Sequence, residues 1–264
     1  MSRSVTPRRA YLCAATLAGV SVFSHACTAS AASLVHARFG SPTSFPIGSC
    51  SSNTHPEIVV ADFNHDLKPD AAVTRDESGF SVLLGLGNGA FAPARENSLR
   101  AEELVARDFN RDGKMDLAVA SSYYVHILYG DGEGNFDVST NIPVAVDTPE
   151  RIDAADLNSD GHLDLSLGIC FLFSQGDGGF DAPYNFQIGQ EEFRIADVNS
   201  DGSSDLIYAL HNGTYRDSFC VATNWGGGQF LDRQYFGTTN YQTHPMLETG
   251  DLDGDLKPDV FVLS

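Results

Sequence analysis

The 264-residue sequence predicts an all-β fold, a β-propeller of five four-stranded blades closed by N- and C-terminal strands. One acidic nonapeptide occurs five times, at intervals of roughly 40–55 residues. Short apolar runs flank each copy, and glycine-rich turns that end in Phe follow most of them. Strands this short cannot bury a face alone, so units of this length are expected to stack as propeller blades.

The strands of one unit can be placed from these runs. In the first unit the apolar run at residues 58–61 predicts the first strand, and the run at 71–73, after the nonapeptide, predicts the second. A third run at residues 80–84 leads into the turn at 85–91. The chain ends soon after the second strand of the fifth unit, so we expect residues 35–42 to complete that blade. An incomplete propeller that oligomerises or is truncated is the alternative.

Each nonapeptide has an oxygen-bearing side chain at positions 1, 3, 5 and 9. Calcium takes six to eight oxygen ligands on a flexible loop, which predicts Ca²⁺ as the cofactor. An EF-hand would need Glu at position 12, where this sequence has Val, Leu or Tyr. Turn chemistry without a metal is the alternative, because Asp, Asn and Gly favour turns in any case. The predicted ligands are Asp62, Asn64, Asp66, Asp70, Asp108, Asn110, Asp112, Asp116, Asp156, Asn158, Asp160, Asp164, Asp197, Asn199, Asp201, Asp205, Asp251, Asp253, Asp255 and Asp259.

Position 6 differs among the loops. The three middle loops have Gly there, whereas the first and last have Leu67 and Leu256. A β-carbon in a left-handed conformation costs on the order of 1 kcal/mol. We therefore expect the two Leu loops to bind calcium more weakly or to turn differently.

The N-terminus predicts export. Arg3, Arg8 and Arg9 precede an uncharged, mostly apolar run at residues 10–23, and an A-x-A cleavage signal ends at Ala31. These features predict a signal peptide over residues 1–31 and a repeat domain over 32–264, in a protein that is secreted, periplasmic or at the cell surface. The apolar run is shorter than the roughly 20 residues of a transmembrane helix, so no membrane span is expected. A twin-arginine signal and a lipid on Cys27 stay open.

The formal net charge of −19 disfavours nucleic acid and anionic membranes as partners. An extracellular protein or a glycan is the expected ligand.

The nonapeptides, the Gly-x-Gly-x-Phe turns and segments such as Phe39-Gly40 resemble FG-GAP repeats, also called VCBS-type repeats, over residues 35–264. The resemblance implies the integrin-α type of propeller, with calcium between the first and second strands of each blade. It also implies a binding or adhesion module and no enzyme, although one repeat type serves many functions.

The resemblance implies that candidate ligand-binding residues lie on the face opposite the loops. Glu57, Glu103 and Glu192 each lie five residues before the first Asp of a loop, so they are expected to ring the mouth of the central channel. Solvated turn acids are the alternative. Tyr123, Tyr124 and Tyr215 are further candidates, since Tyr is common in binding hot spots.

The alternative function is a glycan-active hydrolase or lyase that uses the acidic channel mouth. No catalytic residue is predicted, because most Asp residues are assigned to the loops and no nucleophile motif occurs.

Overall fold

A computed structural model describes residues 15–17, 20–22, 44–47, 56–75, 78–144, 151–168, 170–185, 192–212, 215–237, 246–251, 254–255 and 257–263. No α-helix occurs in these residues, so the all-β prediction is confirmed. The chain divides into two compact units, Met1–Pro46 and Ile47–Ser264. The first contains an antiparallel hairpin of β1 (Ala15–Leu17) and β2 (Val20–Val22).

The described residues of the second unit form four antiparallel sheets of four strands and one of two. Each four-stranded sheet is a meander in chain order, as the repeat pattern predicts. The strands of the first two sheets are β3 (Ile58–Ala61), β4 (Asp70–Thr74), β5 (Phe80–Leu83), β6 (Arg95–Asn97), β7 (Glu103–Arg107), β8 (Asp116–Ser121), β9 (Tyr124–Gly130) and β10 (Phe136–Pro143). The others are β11 (Asp153–Ala155), β12 (Asp164–Ser166), β13 (Cys170–Leu172), β14 (Tyr184–Asn185), β15 (Phe193–Ala196), β16 (Asp205–Asn212), β17 (Tyr215–Asn224), β18 (Phe230–Gly237), β19 (Met246–Gly250) and β20 (Asp259–Leu263).

The first strands of successive sheets contact one another. β3 contacts β7, β7 contacts β11, β11 contacts β15, and β15 contacts β19. The sheets are therefore arranged as blades with their first strands innermost, which is the propeller architecture.

The number and closure of the blades stay predictions. The fifth sheet has two strands among the described residues, and residues 35–42, expected to complete it, lie outside them.

Packing between the sheets explains why the second strands are continuously apolar. In β8, Leu117 and Val119 belong to the core shared with the first sheet, while Ala118 and Ala120 belong to the core shared with the third. A strand covered on both faces reads as an uninterrupted apolar run rather than an alternating one.

The glycine-rich turns also serve packing between sheets. Leu84, at the end of the first sheet's third strand, lies against Gly134 in the turn of the second sheet. Tyr129 meets Gly178 of the third sheet in the same way, and a β-carbon at that glycine would overlap the Tyr129 hydroxyl. Glycine is needed at these positions both for positive φ and for the close approach of the neighbouring sheet.

Candidate metal loops and binding surfaces

The second nonapeptide loop, which joins β7 to β8, shows the geometry of the loop oxygens. The backbone N–H of Asp112 donates to Asp108 Oδ1 at 3.2 Å and to Asn110 Oδ1 at 2.9 Å. The N–H of Gly113 donates to Asp108 Oδ2 at 2.9 Å, and that of Lys114 to Asp112 Oδ1 at 2.9 Å. The oxygens at positions 1 and 3 therefore converge on one N–H group.

The other loops repeat this pattern. The equivalent bonds from the N–H groups of positions 5, 6 and 7 occur in the first, third and fourth loops. In the fifth loop the N–H of Asp255 donates to Asp251 Oδ1 at 3.1 Å, and that of Lys257 donates to Asp255 Oδ1 at 2.9 Å. Asp253 lies outside the described residues.

The backbone of each of the first four loops has two left-handed positions, of which the sequence indicated one. In the first loop His65, at position 4, has φ 57°, and Leu67, at position 6, has φ 62°. The second, third and fourth loops have positive φ at the same two positions. The expectation that the first loop turns differently is therefore wrong, because Leu67 adopts the conformation of the glycines with its side chain 93 % exposed. Leu256 lies outside the described residues.

The Asp at position 9 connects strands. Asp116 is fully buried, and its Oδ2 accepts a hydrogen bond from the N–H of Phe109 at 2.9 Å, while its Oδ1 accepts one from Gly130 at 3.0 Å. Asp70, Asp164 and Asp205 are equally buried and bond the equivalent N–H groups. Each carboxylate thus ties the start of its loop to the end of the third strand.

Burial affects the ionisation of these carboxyl groups. It raises the pKa of Asp164 to about 6, although backbone N–H groups of Ser174 and Leu157 oppose the shift. It also raises the pKa of Asp116 and Asp205 above the usual range. A divalent cation nearby would favour the ionised form, as any positive charge does.

The donor set suits a hard cation, because positions 1, 3 and 5 supply carboxylate and amide oxygens. These oxygens bond backbone N–H groups of their own loops, and the described residues contain no group of three or more His, Cys, Asp or Glu placed to hold a metal. In the first loop Lys68 Nζ lies 2.8 Å from Asp66 Oδ2 and partly neutralises it. The chemistry therefore fits calcium, and the carboxylates at positions 1 and 5 would have to turn from N–H groups toward an ion.

The three predicted channel acids lie within electrostatic range of one another. Burial, followed by the nearby charge of Glu57, raises the pKa of Glu103 to about 8. Glu192 acts on Glu103 in the same direction, while Arg151 opposes both. Burial also raises the pKa of Glu57. The proximity of Glu57, Glu103 and Glu192 is as expected, and their role in binding a ligand stays a prediction.

Two arginines in this cluster were not predicted. Arg194 is buried on β15 and pairs with Glu192 and, at 2.8 Å, with Glu248 of β19. Arg151 occupies the position that Glu holds in three other repeats, five residues before the first Asp of its loop. Aligning the repeats by that position would have revealed Arg151. The cluster around Glu103 thus contains groups of both charges.

Tyr123 and Tyr124 are 52 % and 47 % exposed at the turn between β8 and β9. The side chain of Tyr215 lies outside the described residues. The ring of Tyr124 stacks on that of His126, with centroids 6.0 Å apart and 28° between the planes. Exposed aromatic side chains also occur on the fourth sheet, where Trp225 and Tyr235 are 68 % and 62 % exposed.

His126 takes part in a chain of hydrogen bonds that the sequence did not predict. Its Nδ1 lies 2.7 Å from Asn141 Oδ1, and its Nε2 lies 2.8 Å from Ser121 Oγ. Because the amide oxygen only accepts, Nδ1 carries a proton and donates to Asn141 Oδ1, while Nε2 shares a hydrogen bond with the Ser121 hydroxyl.

Ser121, His126 and Asn141 stand in the order of nucleophile, base and orienting residue in a catalytic triad. The backbone N–H next to the serine, which could stabilise an oxyanion, is already engaged. The N–H of Ser122, which follows the serine, donates to Glu102 Oε2 at 2.8 Å. We therefore interpret the chain as one that orients His126.

Among the described residues, no helix is present that is long and apolar enough to cross a membrane.

Comparisons with known proteins agree with the fold. The model of the FG-GAP-like repeat matches residues 108–166 and 197–262. The T-cell immunomodulatory protein of Rattus norvegicus is 24 % identical over 225 residues, which are 79 % of this chain and 32 % of that protein. A solved structure of an Agrocybe aegerita lectin, described as recognising non-reducing terminal N-acetylglucosamine, has a TM-score of 0.59 at 23 % identity, covering 80 % of this chain and 61 % of the lectin. That likeness is one of fold.

Proposed function

Because this chain is an FG-GAP-like repeat protein with a β-propeller fold, we propose that it is an exported, calcium-loaded module that binds a glycan or a protein and has no catalytic role. The convergence of the oxygens at positions 1 and 3 in successive loops is the observation that carries the calcium assignment. Turn chemistry alone does not require four oxygen-bearing positions in every copy.

Calcium would be held by the side chains at positions 1, 3 and 5, with position 9 on the inner side of the loop. The carboxylates of one loop repel one another without a cation, and calcium supplies the positive charge that removes this repulsion. Its contribution is therefore to stability, and the propeller supplies a rigid face for a ligand.

Binding without catalysis is supported by the kind of side chains that are exposed. Tyr123, Tyr124 and Trp225 present aromatic surface, which is typical of recognition sites. The lectin of similar fold recognises a sugar, and we extend that class of ligand to this chain as a proposal. Export is proposed from the signal-like residues 1–31.

A glycan-active enzyme at the channel mouth is the second candidate, favoured by the pKa of Glu103, which at about 8 suits a general acid. Arg194 and its two glutamate partners argue against it, because they commit part of the cluster to ion pairs.

Two experiments test the proposal. The exported chain is screened on glycan arrays and against cell-surface proteins, in calcium and after chelation. Binding in calcium that falls after chelation supports the proposal, whereas binding of nothing in either condition contradicts it. Release of sugar from a bound glycan, abolished by Glu103→Gln, would favour the enzyme.

A further inference from the structure

We propose that Tyr124, His126 and Asn141 form a subsite for a neutral sugar ring on the second sheet. This Tyr124 subsite rests on the proposed glycan-binding function and adds its place and the chemistry of its ligand.

Strand pairing places the three side chains on one side of the sheet. His126 pairs with Val119, whose side chain packs in the core between the first and second sheets. Asn141 pairs with His126 across β9 and β10, and directly paired residues point to the same side. Tyr124 lies two residues before His126 and therefore shares that side. The subsite is the exposed continuation of a buried inter-sheet surface.

The subsite is rigid before a ligand arrives. Both ring nitrogens of His126 are engaged, by Ser121 and Asn141, so the imidazole beneath Tyr124 has one orientation. The turn that carries the tyrosines is held by the bond from Ser122 N–H to Glu102 and by a 2.8 Å bond from Val144 N–H to the Tyr123 carbonyl. A rigid aromatic surface loses little conformational entropy on binding.

The turn is also strained. Ser122 has φ 43°, a left-handed conformation that costs a non-glycine residue on the order of 1 kcal/mol. Strained backbone conformations are common at functional sites, and they are maintained there by the surrounding hydrogen bonds and packing.

The chemistry of the subsite suits a sugar. The half-exposed ring of Tyr124 offers an apolar face to the C–H groups of a pyranose. Asn141 uses its Oδ1 on His126, which leaves its NH₂ group as a donor to a sugar hydroxyl or acetamido oxygen. An apolar surface with a few oriented polar groups is the usual form of a small-ligand site.

A neutral sugar is favoured over an acidic one. The net charge of −19 repels polyanions. Arg100, a cation close to the turn, is paired at 2.7 Å with Glu102, which already neutralises its charge.

The test uses the full chain in calcium and a panel of neutral trisaccharides that includes chitotriose and cellotriose, with trigalacturonate as the acidic comparison. Saturation-transfer NMR detects weak binding, and titration calorimetry gives Kd. Tyr124→Ala and Asn141→Ala are compared with Tyr235→Ala, a matched exposed tyrosine on the fourth sheet. We expect Tyr124→Ala to weaken neutral-sugar binding at least about tenfold, Tyr124→Phe to retain most of it, and Tyr235→Ala to leave it unchanged.

Other outcomes overturn the proposal in distinguishable ways. Sugar binding that survives Tyr124→Ala overturns the subsite and leaves the glycan-binding function standing. Preference for trigalacturonate overturns the assignment of a neutral ligand. If no sugar of the panel binds, the subsite is rejected. If the glycan array is negative as well, the proposal that the protein binds glycans is also rejected. Hydrolysis of p-nitrophenyl acetate that Ser121→Ala abolishes would assign Ser121, His126 and Asn141 to catalysis instead.

Discussion

Replacing Asp116 with alanine should destabilise the protein even when no calcium is present. The substitution removes the acceptor of three hydrogen bonds, from Phe109 N–H at 2.9 Å, Gly130 N–H at 3.0 Å and Asn110 N–H at 3.4 Å, and leaves the first two donors buried. A hydrogen bond to a charged group contributes about 1.5–3 kcal/mol. Burial raises the pKa of Asp116, which shows that the ionised form is itself costly, so the net loss is about 3 kcal/mol. That corresponds to a fall in Tm of about 6–12 °C for a chain of this size.

Asp112→Ala in the same loop is the matched control. Asp112 is exposed, and its Oδ1 accepts one bond, from Lys114 N–H at 2.9 Å. Its loss should cost less than about 1 kcal/mol without calcium.

Thermal unfolding of both variants and the wild type, each with chelator and with calcium, is the assay. With chelator Asp116→Ala should melt well below Asp112→Ala. With calcium Asp112→Ala should lose much of the added stability that the ion gives this loop. Equal melting temperatures of the two variants in chelator would refute the assignment of Asp116 as the residue that ties the loop to the third strand.

Three further predictions concern pH, loop strain and packing. Because its folded-state pKa of about 8 exceeds the ordinary value of 4.5, Glu103 contributes stability that is full below about pH 4.5 and is lost as pH rises through about 8. Tm should therefore fall between about pH 5 and 8, and fall less in Glu103→Gln, whereas parallel falls would contradict this. Leu67→Asn should raise stability by about 0.5–1 kcal/mol in urea unfolding, since Asn tolerates the left-handed conformation better, and a loss would show that Leu67 is not strained. Gly178→Ala should lower the free energy of unfolding by about 1–3 kcal/mol more than Gly89→Ala. Both glycines have positive φ, but a β-carbon at Gly178 would overlap Tyr129, whereas no atom lies within 4 Å of the β-carbon position at Gly89. Equal losses in urea unfolding would contradict this and mean that Tyr129 moves aside at no cost.

Local features of the fold could be predicted because each is encoded within a few residues. The apolar run at residues 58–61 is β3, with the same bounds. The repeat length indicated four strands per unit, and four sheets have them. The outer strands β6 and β14 are short and exposed, so periodicity gives little signal for their bounds.

Features that depend on contacts between distant segments could not be predicted. The spacing of the nonapeptide predicts Asp116 as a metal ligand. Its bonds to the loop after β7 and to Gly130 depend on strand pairing, which the spacing does not reveal. The bonds of His126 to Ser121 and Asn141 join three strands for the same reason. The ion pair of Arg194 could not be predicted, because its partner Glu248 lies on β19, far away in the sequence.

The central claim, a propeller whose loops hold calcium, is tested most directly by the calcium dependence of stability. The protein is melted in calcium and again after exhaustive chelation, and the bound metal is counted in both states by atomic spectroscopy. The account predicts several calcium ions per chain and a large fall in Tm when they are removed, because clustered loop carboxylates then repel one another. The same Tm in both conditions, with no bound metal, would contradict it and leave the loops as turns held by their own backbone hydrogen bonds.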